Sequence, residues 1–123
     1  MSDTVLLVED TTMLRQLAAR VLRQQGYTVI EASNGVEALR LASQVSLTGL
    51  ELLITDLAMP MMGGDELAKA LLQKFPDIKV LLISGFSDDA LNTRAVLEPG
   101  YATLPKPFTP TQLLNKVQTL LQV

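Results

Sequence analysis

The chain alternates between short apolar runs and stretches with helical spacing, and few folds accommodate that pattern. Val5-Leu6-Leu7-Val8, Leu52-Leu53-Ile54 and Val80-Leu81-Leu82-Ile83 are apolar throughout. Such runs suit central strands of a parallel sheet that is covered on both faces. Tyr27 to Ile30, aromatic and β-branched, predicts a further strand, and Ala102 to Leu104 predicts a weaker one. Between them, Leu14, Leu17, Ala18, Val21 and Leu22 repeat at helical spacing until Gly26 supplies a stop. Asn34 can cap a second helix, with Glu37 three residues on. Leu67, Ala68, Leu71, Leu72 and Phe75 form a third apolar face closed by Pro76. A fourth, poorer helix begins at Ser87 or Asp88 and ends before Pro99-Gly100. Thr109-Pro110-Thr111-Gln112 then reads as cap, first-turn proline and capping-box partner, ahead of Leu113, Leu114, Val117, Leu120 and Leu121. Five βα units of this kind predict an α/β fold, with a parallel sheet, right-handed crossovers and helices on both faces. At 123 residues the chain suits one domain, residues 1–123, with one core.

Two absences limit the chemistry. There is no Cys and no His, which removes disulfides, thiolate metal sites, thiol nucleophiles, the Ser-His-Asp arrangement and most zinc sites. Any chemistry must use carboxylates, hydroxyls, lysine and backbone groups. A net charge of -3, with basic residues scattered along the chain, argues against a direct nucleic-acid partner. No apolar stretch reaches the ~18 residues of a membrane span, and Met1-Ser2-Asp3-Thr4 lacks the features of a signal peptide. A cytoplasmic protein without a membrane partner is the expectation.

Open α/β sheets bind ligands outside the carboxyl ends of their strands. Glu9 and Asp10 follow the first strand, Asp56 the third, Ser84 the fourth and Lys106 the fifth. Each residue alone has an ordinary explanation: an acidic pair is most often a solvated helix start, a lone Asp a turn or cap, and a lysine before proline a surface residue. Placed together at successive strand ends, they have a common chemical logic. Three clustered carboxylates repel one another unless a cation intervenes. Mg²⁺, or Mn²⁺, with its preference for oxygen ligands, resolves that conflict and bridges carboxylates to phosphate oxygens. An Asp carboxylate can attack phosphorus. A metal on one side and a lysine ammonium on the other stabilise the charge on the transferred group.

Over essentially its whole length the sequence resembles the receiver domains of bacterial two-component response regulators. The resemblance rests on Val5-Leu6-Leu7-Val8-Glu9-Asp10, Asp56-Leu57-Ala58-Met59-Pro60-Met61-Met62-Gly63-Gly64, Ser84-Gly85 and Lys106-Pro107-Phe108, in that order. It implies a three-layer flavodoxin-like sandwich, with five parallel strands in order 2-1-3-4-5 and five helices. It implies that Asp56 is the phosphoacceptor, Ser84 the switch hydroxyl and Lys106 the phosphoryl contact. It further implies that Glu9, Asp10, Asp56 and the Ala58 backbone carbonyl hold Mg²⁺, and that the Lys106–Pro107 bond is cis. The donor would be a phosphohistidine on a sensor histidine kinase or histidine phosphotransfer protein, docking on the first helix and the loop after the fifth strand through residues such as Met13, Leu14 and Pro107. By helical spacing alone, Leu14 reads as core. A downstream protein or effector domain would read the face formed by the fourth helix, fifth strand and fifth helix. Such a chain is not an enzyme beyond its own phosphorylation and slow dephosphorylation. The stretch Ser84-Gly85-Phe86-Ser87-Asp88-Asp89 is most similar to receivers of hybrid kinases.

Three positions depart from the family's pattern. Glu9 stands where Asp is more usual. Thr103 stands where many members carry Tyr or Phe, with Tyr101 two residues earlier. Ala58 offers no polar side chain to orient an attacking water, so hydrolysis of the phosphorylated form is expected to proceed without side-chain help from that position. Two other readings stay open. One is a phosphohydrolase of the haloacid dehalogenase type, which places a second Asp two residues after its nucleophile, where this chain has Ala58. The other is a receiver-like interaction module that takes no phosphoryl group.

Overall fold

The computed structural model describes residues 3–46, 49–85 and 100–121. Five strands, β1 (Thr4–Val8), β2 (Thr28–Ala32), β3 (Leu52–Asp56), β4 (Lys79–Ser84) and β5 (Tyr101–Pro105), form one sheet in the order β2-β1-β3-β4-β5. Every pairing is parallel. The described helices are α1 (Thr12–Gln24), α2 (Gly35–Ala42), α3 (Gly64–Lys74) and α4 (Pro110–Leu121). The helix expected from Ser87 or Asp88 lies outside the described residues.

The alternation of strand side chains divides the core in two. Leu6, Val8, Leu53, Val80 and Leu82 face α2 and α3, where they meet Ala38, Leu67, Ala68, Leu71 and Phe75. Val5, Leu7, Leu52, Ile54, Leu81 and Ile83 face α1 and α4, where they meet Ala18, Ala19, Leu22, Leu113 and Val117. Both faces of β1, β3 and β4 are thereby buried, which is why those strands are apolar without alternation. Leu17 is the exception to the face predicted for α1: it is 52% exposed, because the packed stripe runs through Ala18, Ala19 and Leu22.

The helix signals act as their chemistry requires. Asn34 Oδ1 accepts the Glu37 N–H at 2.8 Å, while Glu37 Oε1 accepts from the Ser33 N–H at 2.7 Å, one residue earlier than a capping box predicts. At α4 the box is complete: the Gln112 N–H donates to Thr109 Oγ1 at 3.1 Å and the Thr109 N–H donates to Gln112 Oε1 at 2.9 Å. α1 ends at Gly26, φ 95°, with the Gly26 N–H on the Arg23 carbonyl and the Tyr27 N–H on the Leu22 carbonyl, a Schellman closure. A Cβ at Gly26 meets nothing within 4 Å. Gly26→Ala therefore probes the dihedral alone and is expected to lower unfolding stability by about 1 kcal/mol, read as a shift in urea midpoint with unchanged slope.

Candidate functional site

The hydrogen-bonded ladder runs past the apolar runs that predicted it. β3 includes Asp56, which pairs with Ile83, and β4 includes Ser84, which pairs with Pro105. Asp56 and Ser84 are thus the last residues of their strands, each held by sheet hydrogen bonds. The backbone continues that hold: the Leu57 N–H donates to the Ile83 carbonyl at 3.0 Å and the Lys106 N–H to the Ser84 carbonyl at 2.8 Å. The Lys106–Pro107 peptide is cis. Parallel strands bring Glu9, Asp56, Ser84 and Lys106 to one edge of the sheet, and Asp10 follows Glu9 there.

At that edge Lys106 Nζ lies 2.7 Å from Asp56 Oδ2 and 3.3 Å from Glu9 Oε1. The other oxygens have their own donors: Asp56 Oδ1 accepts the Ala58 N–H at 3.2 Å and Glu9 Oε2 accepts the Thr11 N–H at 3.0 Å. Glu9 (4% exposed), Asp56 (6%) and Ser84 (2%) are buried, whereas Asp10 is exposed. Burial pushes the Glu9 carboxyl up, opposed by the Thr11 N–H and the Lys106 charge and assisted by Asp10 and Asp56. Burial disfavours the Lys106 ammonium, but its bond to Asp56 and the charges of Glu9 and Asp56 outweigh that and raise its pKa.

Carboxylate oxygens of Glu9, Asp10 and Asp56 lie within 4.8 Å of one another. Three hard, anionic oxygen donors converging from two adjacent strands match what Mg²⁺ accepts, and Glu9 reaches the set in the place where a shorter Asp is more usual. The donor chemistry fits a divalent cation.

The loop after β3 is shaped by close approach. The Gly64 N–H, opening α3, donates to the Leu57 carbonyl at 3.0 Å. A Cβ on Gly64 would stand 2.5 Å from the Asp56 carbonyl oxygen. Met61, at φ 69° and 80% exposed, carries the sharpest turn of that loop.

Tyr101 opens β5 opposite Val80, at the end of the strand away from Lys106, and packs against the α2/α3 side of the core. Thr103, opposite Leu82, stands two residues nearer the site, about 6.6 Å along the strand. Tyr101 thus stands one strand repeat further from the site than Thr103 does. Leu14 is half-buried, short of full core packing. It lines an open apolar groove of about 380 Å³ with Gly85, Lys106, Pro107 and Phe108, and Met13 beside it is 80% exposed.

One participant had gone unnoticed in the sequence. Arg15 Nη1 donates to the Glu9 carbonyl at 2.8 Å, and Arg15 Nε lies 3.4 Å from Glu31 Oε1. The available signal was Glu31 itself, a charged residue two positions after the core residue Val29 on the same side of β2.

Comparison with known proteins agrees with this arrangement. The family model described as response regulator receiver domain matches residues 5–118. The chain is 38% identical over 121 residues to the sensor kinase CckA of Brucella abortus, covering 98% of this chain and 13% of that protein. It is 33% identical over 117 residues to the response regulator receiver protein CpdR of the same organism, covering 95% of each. The solved structure of the chemotaxis response regulator CheY4 of Vibrio cholerae superposes with a TM-score of 0.86 at 28% identity, covering 98% of this chain and 100% of that one. The chain thus spans about an eighth of one relative's length and nearly all of the other's. Sequence motifs, sheet order and family match converge: the chain belongs to the response regulator receiver domain family of two-component signalling.

Proposed function

We propose that Asp56 accepts a phosphoryl group from a phosphohistidine on a sensor histidine kinase or phosphotransfer protein, with Mg²⁺ held by Glu9, Asp10, Asp56 and the Ala58 carbonyl. The observation that carries this reading is Asp56 at the end of β3, one carboxylate oxygen on Lys106 Nζ and the other on the Ala58 N–H. In the reaction an Asp56 carboxylate oxygen bonds to phosphorus as the donor's N–P bond breaks, and the leaving imidazole nitrogen keeps the electron pair. Lys106, already at the carboxylate, faces the transferred oxygens and offsets their charge. Ser84, ending the neighbouring strand, supplies the hydroxyl that follows the phosphoryl group. The cation, when bound, contributes positive charge against the same oxygens. Turning a 1:99 mixture of two conformations into 99:1 requires roughly 5.5 kcal/mol of differential interaction, which charge-assisted bonds at this edge can supply.

The groove between α1 and the β5–α4 loop, lined by Leu14 and Pro107 and with exposed Met13 next to Leu14 in the chain, is the proposed place where the histidine-bearing partner docks. Residues 1–123 are proposed to act as one unit, whose output passes to a downstream protein or effector domain. Among the described residues no helix is long and apolar enough to cross a membrane, which is compatible with the proposed cytoplasmic location.

Exposure to an acyl phosphate with Mg²⁺ separates this reading from the others. One phosphoryl group per chain, dependent on the cation, supports the acceptor. Release of phosphate over many turnovers identifies a hydrolase. No uptake at all leaves an interaction module.

A further inference from the structure

The acidic turn is fastened from behind by a chain of charged groups that crosses α1 and the edge strand. The Glu9 N–H donates to the Ala32 carbonyl of β2 at 3.1 Å, and the Glu9 carbonyl accepts from Arg15 Nη1 at 2.8 Å. Arg15 also contacts Glu31 Oε1 through Nε at 3.4 Å, with the two side chains 15% and 27% exposed. Glu31 Oε2 in turn accepts from Arg23 Nη1 at 2.9 Å, and Arg23 Nη2 donates to the Val29 carbonyl at 2.9 Å. The sequence explains the placement. Arg15, Ala19 and Arg23 follow at four-residue intervals along α1, and Ala19 is fully buried. That small residue brings the helix close to β2, so the arginines on either side straddle Glu31.

Arg15 contacts none of the three carboxylates that could hold a cation, yet it grips the backbone from which Glu9 and Asp10 project. Arg15 meets the Glu9 carbonyl through Nη1 and Glu31 through Nε, two nitrogens fixed in one plane; a lysine keeps the charge but has a single nitrogen and does not present donors at both positions. We propose that Arg15, set by Glu31, is a positioning residue for the divalent-cation site: it fixes the β1–α1 turn so that Glu9 and Asp10 converge with Asp56. This inference rests on the cation site proposed above. Replacing a group that orients a metal's ligands typically costs roughly ten- to a hundredfold in metal affinity.

The test is Mg²⁺ affinity by calorimetry on the whole chain, together with urea midpoints in EDTA, for the unaltered protein, Arg15→Lys, Glu31→Gln and Arg23→Gln. Arg23→Gln removes an ion pair to the same Glu31 and a backbone bond but leaves the Arg15–Glu9 contact. Arg15→Lys and Glu31→Gln are expected to weaken Mg²⁺ binding about tenfold, while Arg23→Gln stays within about twofold even if its urea midpoint falls as far. If Mg²⁺ affinity follows the midpoint equally across all three variants, or does not change in Arg15→Lys, the role is structural and the inference fails. No Mg²⁺ binding by the unaltered chain overturns the cation site and this inference together.

Discussion

Lys106→Met is expected to slow phosphoryl uptake at Asp56 about a hundredfold while leaving Mg²⁺ affinity unchanged or tighter. The split follows from where Nζ sits, 2.7 Å from Asp56 Oδ2 and 3.3 Å from Glu9 Oε1. In the proposed transfer its charge would meet the oxygens of the incoming group, so its loss is expected in the transfer step. The same charge competes with a cation for two of the acidic ligands, so its loss does not weaken the metal. In EDTA, the variant should also lose about 2 kcal/mol of stability near neutral pH. That figure lies below the full cost of breaking a buried pair because the lysine side chain is 31% exposed.

The stability loss has a pH signature. Glu9 binds its proton more tightly in the folded chain than the ordinary value of 4.5. The stability this confers is complete below that range and is lost as pH rises through the raised folded value. Lys106 opposes the rise in Glu9, so its removal pushes Glu9 further up and steepens the decline between acid and neutral pH. Lys106's own raised pKa contributes stability that is present below 10.5 and disappears as pH climbs through its folded value. Lys106→Met should lack that alkaline limb. Denaturation at a series of pH values in EDTA, repeated with Mg²⁺, checks both limbs. Equal slopes for the two proteins would contradict the arrangement.

Gly64→Ala is expected to cost about 3 kcal/mol, the upper part of the range for overpacking a filled site, and to reduce phosphoryl uptake by the molecules that remain folded. The added methyl would stand 2.5 Å from the Asp56 carbonyl oxygen, 3.0 Å from Thr55 Cγ2 and 3.1 Å from the Asp56 carbonyl carbon. None of these can swing aside as the end of a flexible side chain would. Thr55 and Asp56 are buried in β3, and α3 is pinned through the Gly64 N–H to the Leu57 carbonyl. Either α3 lifts from the sheet or the end of β3 moves, and the latter displaces the acceptor. Gly26→Ala, where only a dihedral is at stake, is the natural contrast. A midpoint for Gly64→Ala no lower than for Gly26→Ala would contradict the crowding described here.

Much of this was legible in residue order. The apolar runs mark β1, β3 and β4 because both of their faces are covered. The pairs Asn34/Glu37 and Thr109/Gln112 mark helix starts through hydrogen bonds that form locally. Glu9, Asp10, Asp56, Ser84 and Lys106 converge because parallel strands send all their carboxyl ends to one edge. What escaped depends on depth and distance. Hydrophobicity stops at Ile54 and Ile83, but the ladder carries on through Asp56 and Ser84, since backbone pairing is indifferent to side-chain polarity. Leu17 has helical spacing but faces outward, because small alanines, rather than the larger leucine, meet the sheet. Tyr101 shares a side of β5 with Thr103, yet alternation cannot reveal which end of a strand abuts a site. The Arg15–Glu31–Arg23 network joins two elements whose register no local pattern encodes.

Asp56 is tested most directly by intact-mass measurement after transfer from a phosphohistidine donor in Mg²⁺, followed by borohydride reduction, which expels phosphate and leaves homoserine as the label of the acceptor in peptide mapping. One phosphoryl group per chain is expected, at Asp56, not formed when EDTA is present and absent from Asp56→Asn. Label on any other residue of the unaltered chain, or uptake by Asp56→Asn at the unaltered rate, would contradict that assignment.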